Sequence, residues 1–218
     1  MFTLACEANM RVEDFRALVA TRLLGLWEVD DDALAKLARH HELFDRWNMR
    51  MDQSAVRDTG EAVERHYCES IFAAAYIQRV HVPRGTKVIA DIGSGAGFPG
   101  SVIAAILPHV TVHLVEQNLD RALFLRDSTR GWPNVKVRSS RATNIPDHFD
   151  LLTSRSMPGR EMLSFMPKMA QEALFMTTQG EAEILEDQDF TFSQPTPIPW
   201  APTRVLVSVC STWNNPDL

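Results

Sequence analysis

An apolar run, Lys87-Val88-Ile89-Ala90, leads into an acid and then into glycines at alternate positions: Asp91-Ile92-Gly93-Ser94-Gly95-Ala96-Gly97-Phe98-Pro99-Gly100. The run has the length and flanking turn signals of a buried strand, and residues 99–107 read as the helix that follows. Glycine tolerates positive φ and carries no Cβ, so such a turn lets a ligand touch bare backbone. The helix start adds free N–H groups for a polar or negative ligand group. The feature therefore demands a strand–turn–helix unit with a nucleotide-type cofactor at the carboxyl end of the strand.

Two cofactor classes compete for the loop. Gly95, Gly97 and Gly100 fit the dinucleotide pattern G-x-G-x-x-G, which alone is a weak signal. Asp91, Gly93, Gly95 and Gly97 fit D-x-G-x-G-x-G, the loop of Rossmann-like methyltransferases. A carboxylate pointing into the loop would repel a pyrophosphate. S-adenosylmethionine has no phosphate, and its ammonium group is a partner for Asp91. The next strand, 111–116, ends in Glu116, about the ~20-residue offset at which an acid grips a ribose diol. Both cofactors carry such a ribose, so Glu116 supports a nucleoside without choosing between them.

The rest of the chain supplies a scaffold for that unit. The first eighty residues carry helical patterns, one over 12–27 and one opening at Asp30-Asp31-Asp32, where the acids offer an N-cap and first-turn charges. In the second, Leu34, Leu37, His41, Phe44, Trp47 and Met51 recur at three- and four-residue steps, a buried stripe. A third helical pattern has Val63, Tyr67, Ile71, Ala74 and Ile77 on its inner face. From Lys87 the rhythm becomes alternating strand and helix, with strands expected at 87–91, 111–116, 135–138, 151–154 and 173–177. Segment 194–202 holds four prolines and reads as an extended connection, followed by a last strand at 204–210. This alternation predicts an α/β fold: a doubly wound, mainly parallel sheet with an antiparallel C-terminal strand. The expected division is a helical region at 1–84, packed on the core, and a Rossmann-like cofactor domain at 85–218. Asp91, Glu116 and Ser154-Arg155 all fall at strand carboxyl ends, on one rim.

Composition narrows the function classes. No apolar run approaches the ~20 residues of a membrane span, and the first residues lack a signal-peptide pattern. Three separated cysteines, Cys6, Cys68 and Cys210, with no C-x-x-C, fit reduced thiols and no zinc site. A formal charge of −6 argues against a general nucleic-acid glue. It leaves room for a local basic surface at Arg121, Arg126, Arg130, Lys136, Arg138 and Arg141.

Those residues together resemble the RsmG family, also called GidB, bacterial 16S rRNA guanine-N7 methyltransferases. The landmarks are Trp47-Asn48, Val56-Arg57-Asp58, Arg65-His66 with Glu69-Ser70, the Asp91–Gly100 loop, Phe124-Leu125, Asn134-Val135, Arg141 and Ser154-Arg155. The phrase G-x-G-F-P-G is far narrower than a generic methyltransferase loop. The resemblance implies a class I methyltransferase using S-adenosyl-L-methionine and acting on 16S rRNA or the small ribosomal subunit. It also implies a cytoplasmic monomer with no membrane attachment. It places Asp91, Gly93, Ser94, Gly95, Gly97 and Phe98 at the cofactor loop and the methionine end. Glu116 falls at the ribose, Ala142 and Thr143 beside the adenine, and Arg155, the expected catalytic residue, near the methyl donor and the incoming base. The chain departs from the family pattern at Asp52-Gln53-Ser54, at Glu69 for aspartate and at Ser156 for alanine. It also has Thr177-Thr178-Gln179-Gly180 where a Lys-Gly pair is usual. These changes lie on the substrate side and keep two alternatives open: a same-fold methyltransferase for a small molecule or another RNA, and a cofactor-binding protein without turnover.

Overall fold

The computed structural model describes residues 10–51, 58–155, 157–185 and 189–212. Cys6, Asp52-Gln53-Ser54, Val56-Arg57 and Ser156 lie outside them. Helices α1 (Val12–Arg22), α2 (Asp31–Met51), α3 (Thr59–Ala62) and α4 (Glu69–Val80) precede the first strand, with a π-helical turn at Val63–Cys68 joining the last two. Asp30 caps α2, its Oδ1 accepting the Ala33 N–H at 2.8 Å, as the run of acids predicts. α1 is shorter than the 12–27 pattern because the chain turns at Leu23 and passes Gly25 at φ 75°. Left-handed backbone of that kind ends a helix.

Strands β1 (Val88–Ile92), β2 (Thr111–Val115), β3 (Val135–Arg138), β4 (Leu151–Ser154) and β5 (Glu172–Thr178) alternate with α5 (Gly100–Ile106), α6 (Leu119–Ser128) and α7 (Gly159–Met169). Helix α8 (Gln179–Glu183) follows β5, and β6 (Phe190–Phe192), β7 (Thr196–Ile198) and β8 (Ala201–Ser211) close the sheet. The strand order is β3-β2-β1-β4-β5-β8-β6, with β7 also on β8. β1 to β5 are mutually parallel, and β8 runs antiparallel to β5.

The expected doubly wound sheet and its antiparallel C-terminal strand are present. The expected extended connection at 194–202 contains β7, whose Pro197 faces Val205 of β8. Proline lacks the N–H of an interior strand, and β7 uses it at an edge. β6, at the other end of β8, has no signal in its short Phe-Thr-Phe.

Period-2 alternation divides the sheet into two cores. Ile89, Leu151, Leu174, Met176 and Leu206 face a cluster that includes Phe15, Leu37, Phe44, Tyr67, Ile71 and Ile77 of the N-terminal helices. Ala90, Leu152, Ala173, Phe175, Val205 and Val207 face Met162, Phe165 and Met166 of α7. The helical region thus covers one face of the sheet and α7 the other.

Candidate cofactor and active site

β1 ends where Gly93 turns left-handed at φ 70°, and Gly95 and Gly97 follow at 55° and 89°. The Gly93 and Ser94 N–H groups both donate to the Val115 carbonyl, at 2.9 and 3.0 Å. The loop is therefore pinned to the end of β2. A Cβ at Gly93 would meet nothing within 4 Å among the described residues, whereas one at Gly97 would come within 2.9 Å of Ser101 Cβ. The two glycines differ in purpose: Gly93 opens backbone toward empty space, and Gly97 lets α5 pack against the loop.

Asp91 is fully buried. Its Oδ2 accepts the Gly100 N–H at 3.0 Å. Its Oδ1 is buried and makes no hydrogen bond among the described residues. Burial pushes this carboxyl up to about 7, against the pull of the Ser94 hydroxyl and the Gly100 N–H. A buried carboxylate oxygen with no partner is costly, and a cationic ligand group satisfies it.

Glu116 sits one residue beyond β2. Its Oε2 accepts the Gly95 N–H at 2.9 Å, and its Oε1 accepts the Asn118 N–H at 2.8 Å. Asn118 in turn caps α6 by accepting the Arg121 N–H. Glu116 is thereby held in one orientation, with lone pairs left for a diol. A cleft of about 610 Å³ opens beside it, lined by Gly93, Glu116, Arg141, Ala142, Thr143 and Phe165 among others. The structure thus brings the expected ribose and adenine residues to one cavity with Gly93. Volumes in this range suit a nucleoside. Arg121 and Arg141 border the same cleft. Elsewhere in the basic cluster, Arg130 pairs with Asp127 at 2.8 Å and Arg138 with Asp147 at 3.1 Å.

Phe98 is buried at the centre of an aromatic group. His66 stacks on it at 4.9 Å, and Tyr67, His40 and Phe44 meet it edge-on at 5.0 to 5.6 Å. Pairs of this kind each add about 0.5–1.5 kcal/mol beyond area burial. The Arg155 guanidinium lies 5.4 Å from the same ring. Its Nη1 donates to the Arg65 carbonyl at 3.0 Å, and its Nη2 meets His66 Nδ1 at 3.0 Å. Burial and the nearby Arg155 charge lower His66 to about 3, so the ring is neutral and Nδ1 is the acceptor. Arg155 therefore ties the end of β4 to the π-helical turn. Ser154 completes that end, its Oγ donating to the Ile92 carbonyl at 2.9 Å.

Two residues under the loop carry no clear functional signal in the sequence. His40, fully buried, meets the Tyr67 hydroxyl through Nδ1 at 2.8 Å, and its Nε2 would lie 3.1 Å from a Cβ at Gly97. Tyr67 sits in the apolar stripe of the third helical pattern, and His40 precedes the stripe residue His41 in the second; neither position marks a functional residue. Trp47 packs edge-on against Phe124 at 5.6 Å, a core role. Cys68 is buried and free, and burial pushes its thiol up to about 12. Among the described residues no cluster of His, Cys, Asp and Glu could hold a metal, and no helix is long and apolar enough to cross a membrane.

Residues 33–193 match the family described as GidB, rRNA small subunit methyltransferase G. Ribosomal RNA small subunit methyltransferase G of Stenotrophomonas maltophilia (strain R551-3) is 36% identical over 132 residues, 58% of this chain and 59% of that protein. The protein of the same name from Halorhodospira halophila (strain DSM 244 / SL1) is 35% identical over 133 residues, 60% of each. The match thus spans about three-fifths of the length of these curated relatives. Among solved structures, magnesium protoporphyrin IX methyltransferase from Synechocystis PCC 6803 with bound SAH superposes with a TM-score of 0.58 at 12% identity, covering 84% of this chain and all of that one. A methyltransferase from Geobacter sulfurreducens gives 0.54 at 16% identity, covering 90% of this chain and 96% of that one. At such identities these two structures speak for the fold.

Proposed function

The chain belongs to the GidB family, rRNA small subunit methyltransferase G, and on that footing we propose that it methylates N7 of a guanosine in 16S rRNA, using S-adenosylmethionine. The observation that carries the cofactor reading is Asp91: a buried carboxylate whose Oδ1 has no partner among the described residues, beside a backbone opening at Gly93. Asp91 takes the cofactor ammonium, Glu116 the ribose hydroxyls, and Ala142 and Thr143 flank the adenine. Gly95, Gly97 and Ser94 shape the loop, and Phe98 supports it from below. When bound, the cofactor supplies an electrophilic methyl group.

Guanine N7 has an available lone pair and no proton, so its attack needs no general base. The protein's task is to hold N7, methyl carbon and sulfur in line, which is where proximity yields its rate gain. A cationic group beside N7 would oppose the positive charge that develops there. We therefore assign Arg155 to orientation: a cofactor carboxylate, a phosphate or the O6 edge of the base. Two of its five N–H groups hold the π-helical turn, and the remaining ones serve the ligand. The target base must be splayed from its stack, since an A-form major groove is too narrow to admit a protein. The helical region 1–84 and the rim arginines Arg121 and Arg141 form the RNA-facing surface. The enzyme acts in the cytoplasm as a monomer.

Transfer of a radiolabelled methyl group to small ribosomal subunits lacking the modification tests this reading. The expected product is 7-methylguanosine in 16S rRNA, with none formed from free nucleosides. Label in another base, in nucleosides or in neither substrate would overturn it. Calorimetry should give binding of S-adenosylhomocysteine and none of NAD.

A further inference from the structure

β8 runs against β5, so its first residues return to the carboxyl rim of the sheet, and Arg204 lies opposite Thr178 at the end of β5. There its Nε sits 3.4 Å from Glu69 Oε2. Glu69, the first residue of α4, follows the π-helical turn that Arg155 holds. The Glu69 carboxylate is sealed at 3% exposure, whereas the Arg204 side chain is 23% exposed. Arg204 and Arg155 are close enough to repel each other, and both are drawn to Glu69. The second acid within reach of Arg155 is Asp91, which the cofactor ammonium claims. Arg65, on the same turn, adds another cation and has its own partner in Glu61 at 3.0 Å.

Arg204 pairs with Glu69, and Arg155 lies within electrostatic reach of the same carboxylate, on the substrate rim of a chain whose formal charge is −6. Partly buried positive charge in excess is costly unless an anion completes it. Guanidinium forks suit oxyanions. On the proposed reaction two oxyanions would reach this rim, the cofactor carboxylate and an RNA phosphodiester. Arg155 faces the loop through Phe98, while Arg204 pairs with Glu69 and is not among the residues that line the cleft. We infer that Arg204 is a positioning residue that grips a backbone phosphate of the strand carrying the target guanosine, with Glu69 holding its guanidinium in place. This assignment rests on the rRNA methyl-transfer reading.

The test compares wild type, Arg204→Gln and the double variant Glu69→Gln/Arg204→Gln, which removes the cation without stranding a buried acid. Equilibrium binding to unmodified small subunits is followed over a salt series, and S-adenosylhomocysteine binding is measured by calorimetry. Both variants should lose about tenfold in subunit affinity, and the slope of log K against log salt should flatten by about 0.7, the share of one single-strand phosphate. Cofactor-product affinity should stay within about twofold of wild type. Recovery of the wild-type slope in the double variant would make Arg204 a mere counter-ion of Glu69 and overturn the inference. Loss of S-adenosylhomocysteine affinity in the double variant would assign Arg204 to the cofactor carboxylate and overturn it too. A wild-type chain that binds no subunits fails at the parent reading, and an unchanged slope in variants of an active wild type fails only here.

Discussion

Gly93 and Gly100 bound one loop, yet a methyl group at each meets opposite surroundings. At Gly93 it would project into space with nothing within 4 Å, at a φ of 70°. The cost there is the left-handed backbone, about 1–2 kcal/mol. Gly93→Ala should therefore fold, melt a few degrees lower and bind S-adenosylhomocysteine at least about tenfold more weakly, because the new methyl occupies ligand space. At Gly100 the same methyl would lie 2.4 Å from Leu114 Cδ2 and 2.6 Å from Asp91 Cβ. Overpacking of that severity costs upward of about 3 kcal/mol, and Gly100→Ala should be largely insoluble or melt far earlier in a thermal scan. Asp91 makes a pH prediction. Its folded value, about 7, lies above its ordinary 3.8, so its contribution to stability is full at acid pH and is lost as pH rises through 7. Ligand binding runs the other way, since the ammonium needs the ionised carboxylate. S-adenosylhomocysteine affinity should climb up to about pH 7 and hold until the ligand's amino group, kept protonated by its own carboxylate, deprotonates at clearly higher pH. Asp91→Asn should erase the acid limb of that profile, weaken binding and raise the melting temperature above neutral pH. An acid limb that survives in the variant would clear Asp91 of the ammonium.

The π-helical turn at Val63–Cys68 is the element on which the site's two halves meet. Extra-residue turns of this kind are rare and concentrate at functional sites. Here the turn offers the Arg65 carbonyl and His66 Nδ1 to Arg155 and lays His66 on Phe98. Arg155→Ala should reduce methyl transfer at least tenfold, about 1.4 kcal/mol, and leave the melting temperature within a few degrees, while amide exchange across 63–68 speeds up. Equal kinetics in the variant would remove Arg155 from the site. How much of this was legible in the sequence depends on the range of the force involved. β1, the glycine loop and β2 were readable because a strand of period two, a turn needing positive φ and an acid at a set offset are local requirements. The register of Glu116 with Gly95 follows from them. The π-helical turn was not readable, because Val-Glu-Arg-His-Tyr-Cys fits an ordinary helix and the turn's partners, Phe98 and Arg155, are distant in the chain. Nor was Arg204, whose partner Glu69 stands far away in the chain and meets it only because β8 inserts beside β5. β7 hid behind its prolines, which are tolerated at that edge alone.

At the scale of the whole molecule, the question is whether the cofactor-binding half can stand without the helices before it. Phe15, Leu37, Phe44, Tyr67, Ile71 and Ile77 share one core with Ile89, Ile103, Leu114 and Leu174. Removing residues before 85 would bare that face of the sheet, along with the lower side of Phe98, His66 and His40 included. Burial is worth about 1.5–3 kcal/mol for each large apolar side chain, against a total domain stability of about 5–15 kcal/mol. Losing even six such partners, about 9–18 kcal/mol, is as large as the whole margin. A chain of residues 85–218 should therefore fail to give a cooperative melt, expose apolar surface to a reporter dye and bind no S-adenosylhomocysteine, although it keeps Asp91, Glu116 and the cleft residues. Supplying residues 1–84 in trans should restore binding only if the two pieces co-purify. A truncated chain that melts cooperatively and binds the ligand would mean that α7 and the sheet suffice. The helices would then be an added RNA-facing layer and not half of the cofactor site's support.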